Sequence, residues 1–303
     1  MKQIAIILSG LLLLGSQIAC CTISVPQMPD VEMPDVEINV PTIEVGEVQS
    51  RRETIPLADA TSVEVEILFG AGELEIEAGD PTQLFSGHFR YNVEQWAPKV
   101  SYENDILDIE QGGTKEDWGI PTGRTRNQWE LEFSPQIPLS MKLDLGAGDG
   151  ELDFTGLQVT ELDLDTGAGD FEVRFDEPNR AEMESLTLDT GASKLEVRGI
   201  GNASPEQVRI QGGVGDITLD FTGAWARSAD VYVTAGVGSL TLRLPDNVGV
   251  QVETKGGLTN LDAPDLQRVG DTYVNDAFGE AAIELHVQVT TGIGNIKLVE
   301  VSN

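Results

Sequence analysis

Only two cysteines occur in the 303 residues, and both, Cys20 and Cys21, lie near the start. The remainder of the chain therefore has no disulfide framework and no cysteine spacing for zinc. Basic residues are scarce as well: 19 Lys and Arg stand against 51 Asp and Glu, for a formal net charge of -32. Nucleic-acid binding needs an excess of cations to displace counterions, so it is excluded, as is a polybasic contact with an anionic membrane. The two histidines, His88 and His286, are far apart in sequence. Aromatic residues make up 6%, which suits an interior lined by smaller aliphatic side chains. No apolar run is long enough for a comfortable membrane span; the longest, Ile4 to Leu14, is too short.

Glycine is abundant, with 33 residues, and much of it is periodic. Gly70-Ala71-Gly72 returns as Gly146-Ala147-Gly148, Gly167-Ala168-Gly169, Gly191-Ala192-Ser193, Gly213-Val214-Gly215, Gly236-Val237-Gly238 and Gly292-Ile293-Gly294. Between Gly146 and Gly236 the steps are 21, 24, 22 and 23 residues. Five residues before each first glycine stand Val65, Met141, Leu162, Leu186, Val208, Val231 and Val287; three before stand Ile67, Leu143, Leu164, Leu188, Ile210, Val233 and Val289. Four after come Leu74, Phe171, Leu195, Ile217, Leu240 and Ile296, with Gly150 the exception; six after come Ile76, Leu152, Val173, Val197, Leu219, Leu242 and Leu298.

Alternation of period two on both sides of a fixed glycine pair means two short strands that each bury one face and meet at a bend. A period of 20 to 50 residues marks a solenoid, because one unit cannot cover its own apolar face and must stack on its neighbours. The pattern predicts an all-β, right-handed parallel β-helix-like solenoid, with the small residue between the glycines turned into the narrow corner. An antiparallel sandwich of hairpins with Gly-x-Gly turns is the competing architecture. Phe154, Phe175, Phe221 and Leu244, eight residues past the glycine, should stack in another corner, and the links Asp176–Asn179 and Gly199–Asn202 should lie outside.

Residues 1–20 read as a lipoprotein signal peptide: Lys2, a short apolar run, then Ser16 to Cys21 as a small-residue cleavage zone ending in cysteine. Cys20, with Cys21 as the alternative, is the expected lipidation site, and the membrane is the expected partner through that anchor. Residues 21–53, with MPDVE written twice among prolines and acids, read as an extended tether. Residues 54–140 hold the first coil and a stretch rich in aromatic residues, including Trp96, Trp118 and Trp129, expected to form an antiparallel β cap over the N-terminal end of the stack. Residues 141–303 hold the remaining repeats, with a covering loop over 256–280.

The run FSGHFRYNVEQWAPKVSYE, the phrases LDLGAGDGELDFTGL and LDTGAGDFEV, and DTYVNDAFG before TTGIGNIKL resemble the toast-rack family of bacterial envelope proteins. That family is related to the putative-adhesin domains and to the C-terminal domain of cell-wall-active-antibiotic response proteins. The resemblance covers most of the chain from about Ile55 onward. It implies a β-solenoid in an extracytoplasmic place and brings no catalytic residues. The response proteins also have transmembrane helices, which this chain does not show.

Acidic residues recur in register: Asp144, Asp165 and Asp189 two before the glycine, and Asp149, Asp170 and Asp216 three after. Spaced about 4.8 Å apart on a stack, such carboxylates repel by only about 1 kcal/mol per pair in water, so a solvated ladder is tolerable. Gly212 to Asp216 has a faint calcium-repeat look, but the period is more than twice nine, and no metal is expected. A polysaccharide lyase or hydrolase would need a marked carboxylate pair with a convergent base, and none is marked. No cofactor motif is present; every Gly-x-Gly leads into a strand. The expectation is a non-enzymatic, lipid-anchored envelope protein whose solenoid offers an adhesion or assembly surface to cell-wall polymer, another envelope protein or its own copies, with a regulatory role in envelope stress as the rival.

Overall fold

A computed structural model of the chain describes residues 42–113, 120–121 and 123–302. In chain order the strands are β1 (Thr42–Ile43), β2 (Gln49–Pro56), β3 (Val63–Ala78), β4 (Gln83–Tyr91), β5 (Pro98–Glu103), β6 (Ile106–Gln111), β7 (Ile120–Pro121), β8 (Asn127–Phe133), β9 (Pro138–Asp153), β10 (Gln158–Arg174), β11 (Ser185–Arg198), β12 (Gln207–Asp220), β13 (Ala229–Pro245), β14 (Gly249–Asp262), β15 (Gln267–Val269), β16 (Thr272–Val274) and β17 (Glu284–Val301). Among the described residues one short α-helix, α1 (Ile200–Ala203), interrupts them.

Eight long strands form the stack, each running through a glycine corner, and all pair in parallel in the order β3, β9, β10, β11, β12, β13, β17, β14. The antiparallel sandwich is thereby set aside, and the solenoid stands. The register is the one written in the sequence. Leu164 pairs with Leu143 and with Leu188, and Val173 with Leu152 and Val197. Leu143, Leu164 and Leu188 are each at most 1% exposed and share one core cluster. Covering one such side chain contributes roughly 1.5–3 kcal/mol, so the repeated columns hold the coils together.

The corners need glycine because backbones meet there. A Cβ on Gly167 would stand 2.1 Å from the carbonyl oxygen of Gly146 in the coil before it. Gly169 has φ +139°, and a Cβ there would stand 1.7 Å from the oxygen of Gly148. No ordinary side chain fits either place. The other paired glycines, Gly70, Gly72, Gly146, Gly148, Gly191, Gly213, Gly215, Gly236, Gly238, Gly292 and Gly294, lie in the same two rows. Where the second row departs from glycine, a hydroxyl turns toward a threonine. Ser193 is buried and bonds Thr190, and Thr259 bonds Thr291 at 3.2 Å.

The residue between the glycines points outward, not into the corner. Val214, Val237, Ile293 and Leu258 are 58, 47, 55 and 79% exposed and form one registered ridge that continues the row of Ala71, Ala147, Ala168 and Ala192. The narrow inside of the corner belongs instead to the residue before the pair, such as buried Thr166 and Thr190.

Phe154, Phe175, Phe221 and Leu244 are buried as expected, and the rings of Phe154 and Phe175 stack at 5.4 Å. The link Gly199–Asn202 is not external. It enters α1, whose Ile200 and Ala203 are buried, and the Asn202 side chain donates to Phe175 O while accepting from Ala224 N.

Over the N-terminal end, β2, β4 and β8 pair antiparallel, β8 runs parallel on the second arm of β3, and β6 runs parallel on its first arm with β5 antiparallel beyond. This is the antiparallel cap. Its small core is aromatic: Trp129 packs edge-on against Phe69 at 4.9 Å and Phe89 at 5.1 Å. Of the stretch assigned from sequence to the tether, residues 42–43 are β1, paired in parallel with β7, and residues 49–53 are the start of β2. As a largely exposed edge strand they carry charge on both faces and show no alternation.

At the other end, 256–262 is strand rather than loop, the second arm of β14. Covering falls to the short hairpin β15–β16, which pairs only with Gln251–Glu253. Buried Asn275 ties it down, accepting from Val250 N and donating to the carbonyls of Pro245 and Val248. The final strand, β17, does not end the stack. It lies between β13 and β14.

Candidate functional site

A cleft opens where the cap meets the first corner. β6 leaves β3 after Leu68, and β8 joins it only at Glu73, so the corner between them has a strand neighbour on the β9 side alone. Its unpaired backbone groups are met by amide side chains. Gln111 Oε1 accepts from Gly70 N at 2.9 Å and Ala71 N at 3.3 Å, and Asn127 Nδ2 donates to Ala71 O at 2.7 Å and to Gln111 Oε1 at 2.8 Å. Trp129 Nε1 donates to Asn127 Oδ1 and so locks the amide's orientation. A buried polar group without a partner costs about 1–3 kcal/mol, which explains why side chains stand in for the missing strand.

The cleft measures about 620 Å³, and its wall includes Val48, Gly72, Glu73, Trp96, Arg124, Arg126 and Asp149. Asn92 fixes the arginine segment. Its Nδ2 donates to Arg124 O at 2.9 Å, its Oδ1 accepts from Arg126 N at 2.6 Å, and its own N–H donates to Arg126 O. The backbone is held while both arginine side chains stay exposed. Trp96, half-buried at the end of a short 3-10 turn (Glu94–Trp96), borders the same space. Trp118 lies outside the described residues.

The acidic rows face out from both arms. Asp165 lies in register with Asp144 and Asp189, and burial, then the neighbouring carboxylate of Asp165, raises the pKa of both Asp163 and Asp189. On the other arm Glu130, Glu75, Glu151, Glu172 and Glu196 form one row. Glu75 is raised by burial and then by Glu130, Glu151 and Glu77. Farther along the row Arg198 bridges Glu172 at 3.4 Å and Glu196 at 2.8 Å, which relieves the repulsion. Asp149 and Asp170 are registered neighbours, but Lys194 separates Asp170 from Asp216.

The charge fades along the stack. Beside the ridge, Asp144, Asp165 and Asp189 give way to Gln211, Thr234, Thr290 and Lys255, and Asp149, Asp170, Lys194 and Asp216 to Ser239, Asn295 and Asn260. The middle of the aliphatic ridge, Val237 and Ile293, therefore has uncharged neighbours in both rows, while Asp216 stands beside Val214 and Lys255 beside Leu258.

The histidines stay apart, as their spacing suggests. His88 bonds Glu130 and Ser50, and His286 lies 3.8 Å from Glu284. Among the described residues no group of three or more His, Cys, Asp or Glu is arranged to hold a metal ion, and no helix is long and apolar enough to cross a membrane. Cys20 and Cys21 lie outside the described residues. The amide network and the cleft were missed in the sequence; the only signal was a set of Asn and Gln residues in an otherwise acidic chain.

Comparison with curated proteins finds no match. Among solved structures, the chain is similar to a putative cell adhesion protein from Clostridium sporogenes ATCC 15579, with 22% identity, 84% of this chain and 100% of that one covered, and a TM-score of 0.48. It is also similar to a putative adhesin (BF0245) from Bacteroides fragilis NCTC 9343, with 15% identity, 85% and 100% covered, and a TM-score of 0.36. The family described as the N-terminal domain of toast_rack, DUF2154, matches residues 44–198 and 184–243, together spanning most of the glycine-cornered stack and its cap. With its repeat register, its corners and this match in agreement, the chain belongs to the toast-rack family.

Proposed function

We propose that this chain is a non-enzymatic cell-envelope protein, held to a membrane by lipid on Cys20 or, in its place, Cys21, and presenting the solenoid as a rigid surface for adhesion or assembly. The observation that carries the reading is the parallel register of eight strands, which shifts only between Val159 and Glu161 and fixes outward side chains in rows about 4.8 Å apart. One of those rows is an aliphatic ridge left open to solvent on a chain of net charge -32. Exposed contiguous apolar surface on a soluble domain commonly marks an interaction site. Lipid attachment and extracytoplasmic placement rest on the sequence around Cys20, and residues from Cys21 toward β1 serve as the tether.

Cell fractionation with a radiolabelled fatty acid tests the anchor. The full chain is expected in the membrane fraction carrying label, and Cys20→Ser together with Cys21→Ser is expected to abolish both. Recovery of the chain from the cytoplasm with residues 1–20 retained refutes the reading. Binding of the purified full chain to isolated envelopes then tests the surface role.

A further inference from the structure

Resting on the envelope reading above, we infer that the cleft between the cap and the first corner binds a saccharide chain bearing an anionic substituent. Arg124 and Arg126 are the starting point. Among the described residues neither guanidinium group has a hydrogen-bond or ion-pair partner, in a chain dominated by carboxylates, and the backbone that carries them is clamped by Asn92. Elsewhere the arginines are engaged: Arg51 with Glu53, Arg90 with Glu130, Arg174 with Asp153, Arg180 with Pro135 O, Arg198 with Glu196, Arg209 over Tyr232, Arg227 with Glu182, Arg243 with Asp220 and Arg268 over Tyr273. Apart from these two, only Arg52 lacks such a partner among the described residues, and it stands on β2 outside the cleft. Two uncommitted forks on a rigid segment suit a carboxylate or phosphate, which each can grip through paired N–H donors.

The rest of the wall selects the kind of anion. Trp96 supplies a partly open aromatic face beside the arginines. Glu73 and Asp149 supply acceptors only, and they repel a ligand that is acidic throughout. A sugar ring satisfies both conditions, since its apolar face covers an indole while its hydroxyl groups donate to carboxylates. A volume of about 620 Å³ is within the range of small-ligand sites and has room for a few sugar units. An all-acidic peptide offers no hydroxyl donors and would set its charges against Glu73 and Asp149.

The test is calorimetric titration of the full chain in detergent micelles with a neutral oligosaccharide ending in a single glucuronate, with a mannose oligosaccharide ending in phosphate, with neutral maltotetraose, with tetraglutamate and with inorganic phosphate. At least one of the two acidic oligosaccharides is expected to bind, and which one does so identifies carboxylate or phosphate as the substituent. Maltotetraose, tetraglutamate and phosphate should each be weaker by about tenfold or more. Arg124→Gln with Arg126→Gln, and separately Trp96→Ala, should each weaken the binding by about tenfold at unchanged melting temperature, while Arg52→Gln leaves it as it was. The inference is overturned if neither acidic oligosaccharide binds better than phosphate, if tetraglutamate binds as well, or if the double arginine variant binds like the parent. Failure of these titrations in a membrane-held, labelled chain removes the cleft assignment alone; a chain that is neither labelled nor membrane-held removes the envelope reading and leaves the titrations standing.

Discussion

The ring of Phe171 fills the space left by Gly150, its registered neighbour in the adjoining coil: a Cβ on Gly150 would lie 2.7 Å from Phe171 Cδ1. The two positions thus share one volume. Phe171→Ala should cost about 3–5 kcal/mol, because the cavity cannot be closed from a glycine. Gly150→Ala should cost about 1–3 kcal/mol through overpacking. Combining Gly150→Leu with Phe171→Leu, which copies Leu74 and Leu195 in the same column, should restore most of the loss. A denaturant double-mutant cycle measures the coupling, and additivity of the two changes within about 0.5 kcal/mol would contradict the shared volume.

At the corner, Gly169→Ala should be among the most damaging single-methyl changes in the chain, at about 3 kcal/mol or more, since strain and a backbone clash coincide. Ser193→Gly, one coil on, restores the ordinary corner residue and should cost about 1–2 kcal/mol, through the buried Thr190 hydroxyl it leaves without a partner. Thr190→Val should cost about 1–3 kcal/mol by leaving the buried Ser193 hydroxyl without its partner. Equilibrium unfolding in urea ranks the three, and an equal cost for Gly169→Ala and Ser193→Gly would overturn this account of the corner.

The carboxylate rows predict an inverted acid response. Asp163, Asp189 and Glu75 are held above the ordinary carboxylate range, mainly by burial and then by like charge. Between about pH 4 and their raised folded values the unfolded chain binds fewer protons than the folded one, so stability falls as pH rises through that window. Melting should therefore occur at a higher temperature at pH 5 than at pH 7.5. Asp165→Asn, which removes the shared neighbour of Asp163 and Asp189, should narrow the difference. Scanning calorimetry at the two values checks both, and a melting temperature that rises with pH would refute the assignment.

Truncation after Ile283 removes β17, an interior layer, and not a terminal one. β13 and β14 then lose the neighbour between them, and with it the columns of Val287, Val289, Ile296 and Leu298, all at most 3% exposed. The truncated chain should melt without a sharp transition and be cut by protease within 249–275. A cooperative, protease-resistant truncated protein would show that β13 and β14 can close on each other.

The stack was legible from sequence because its signal is one-dimensional. A column such as Leu143, Leu164 and Leu188 repeats at nearly constant spacing, and in a parallel stack equal spacing becomes direct contact. The neighbours of β17 were not legible, since nothing in a period says which coil an eighth strand joins. The outward turn of Val214 and Val237 was hidden for a different reason: the alternation breaks at a glycine pair, so the face of the residue between cannot be counted across it. β2 escaped because an edge strand with Arg51, Arg52 and Glu53 has no buried face to betray it. The cleft depends on Asn92, Gln111 and Asn127 meeting across long stretches of chain, and scattered amides carry no periodicity at all.

The place of β17 also bears on timing. Synthesis delivers β14 and its hairpin before the strand that must separate them from β13, so until β17 has been made both lack the neighbour that lies between them. Long-range pairing of this kind is intrinsically slow to form. The stack is consequently completed from its middle, since β14 reaches its place beside β17 only once β17 has been made.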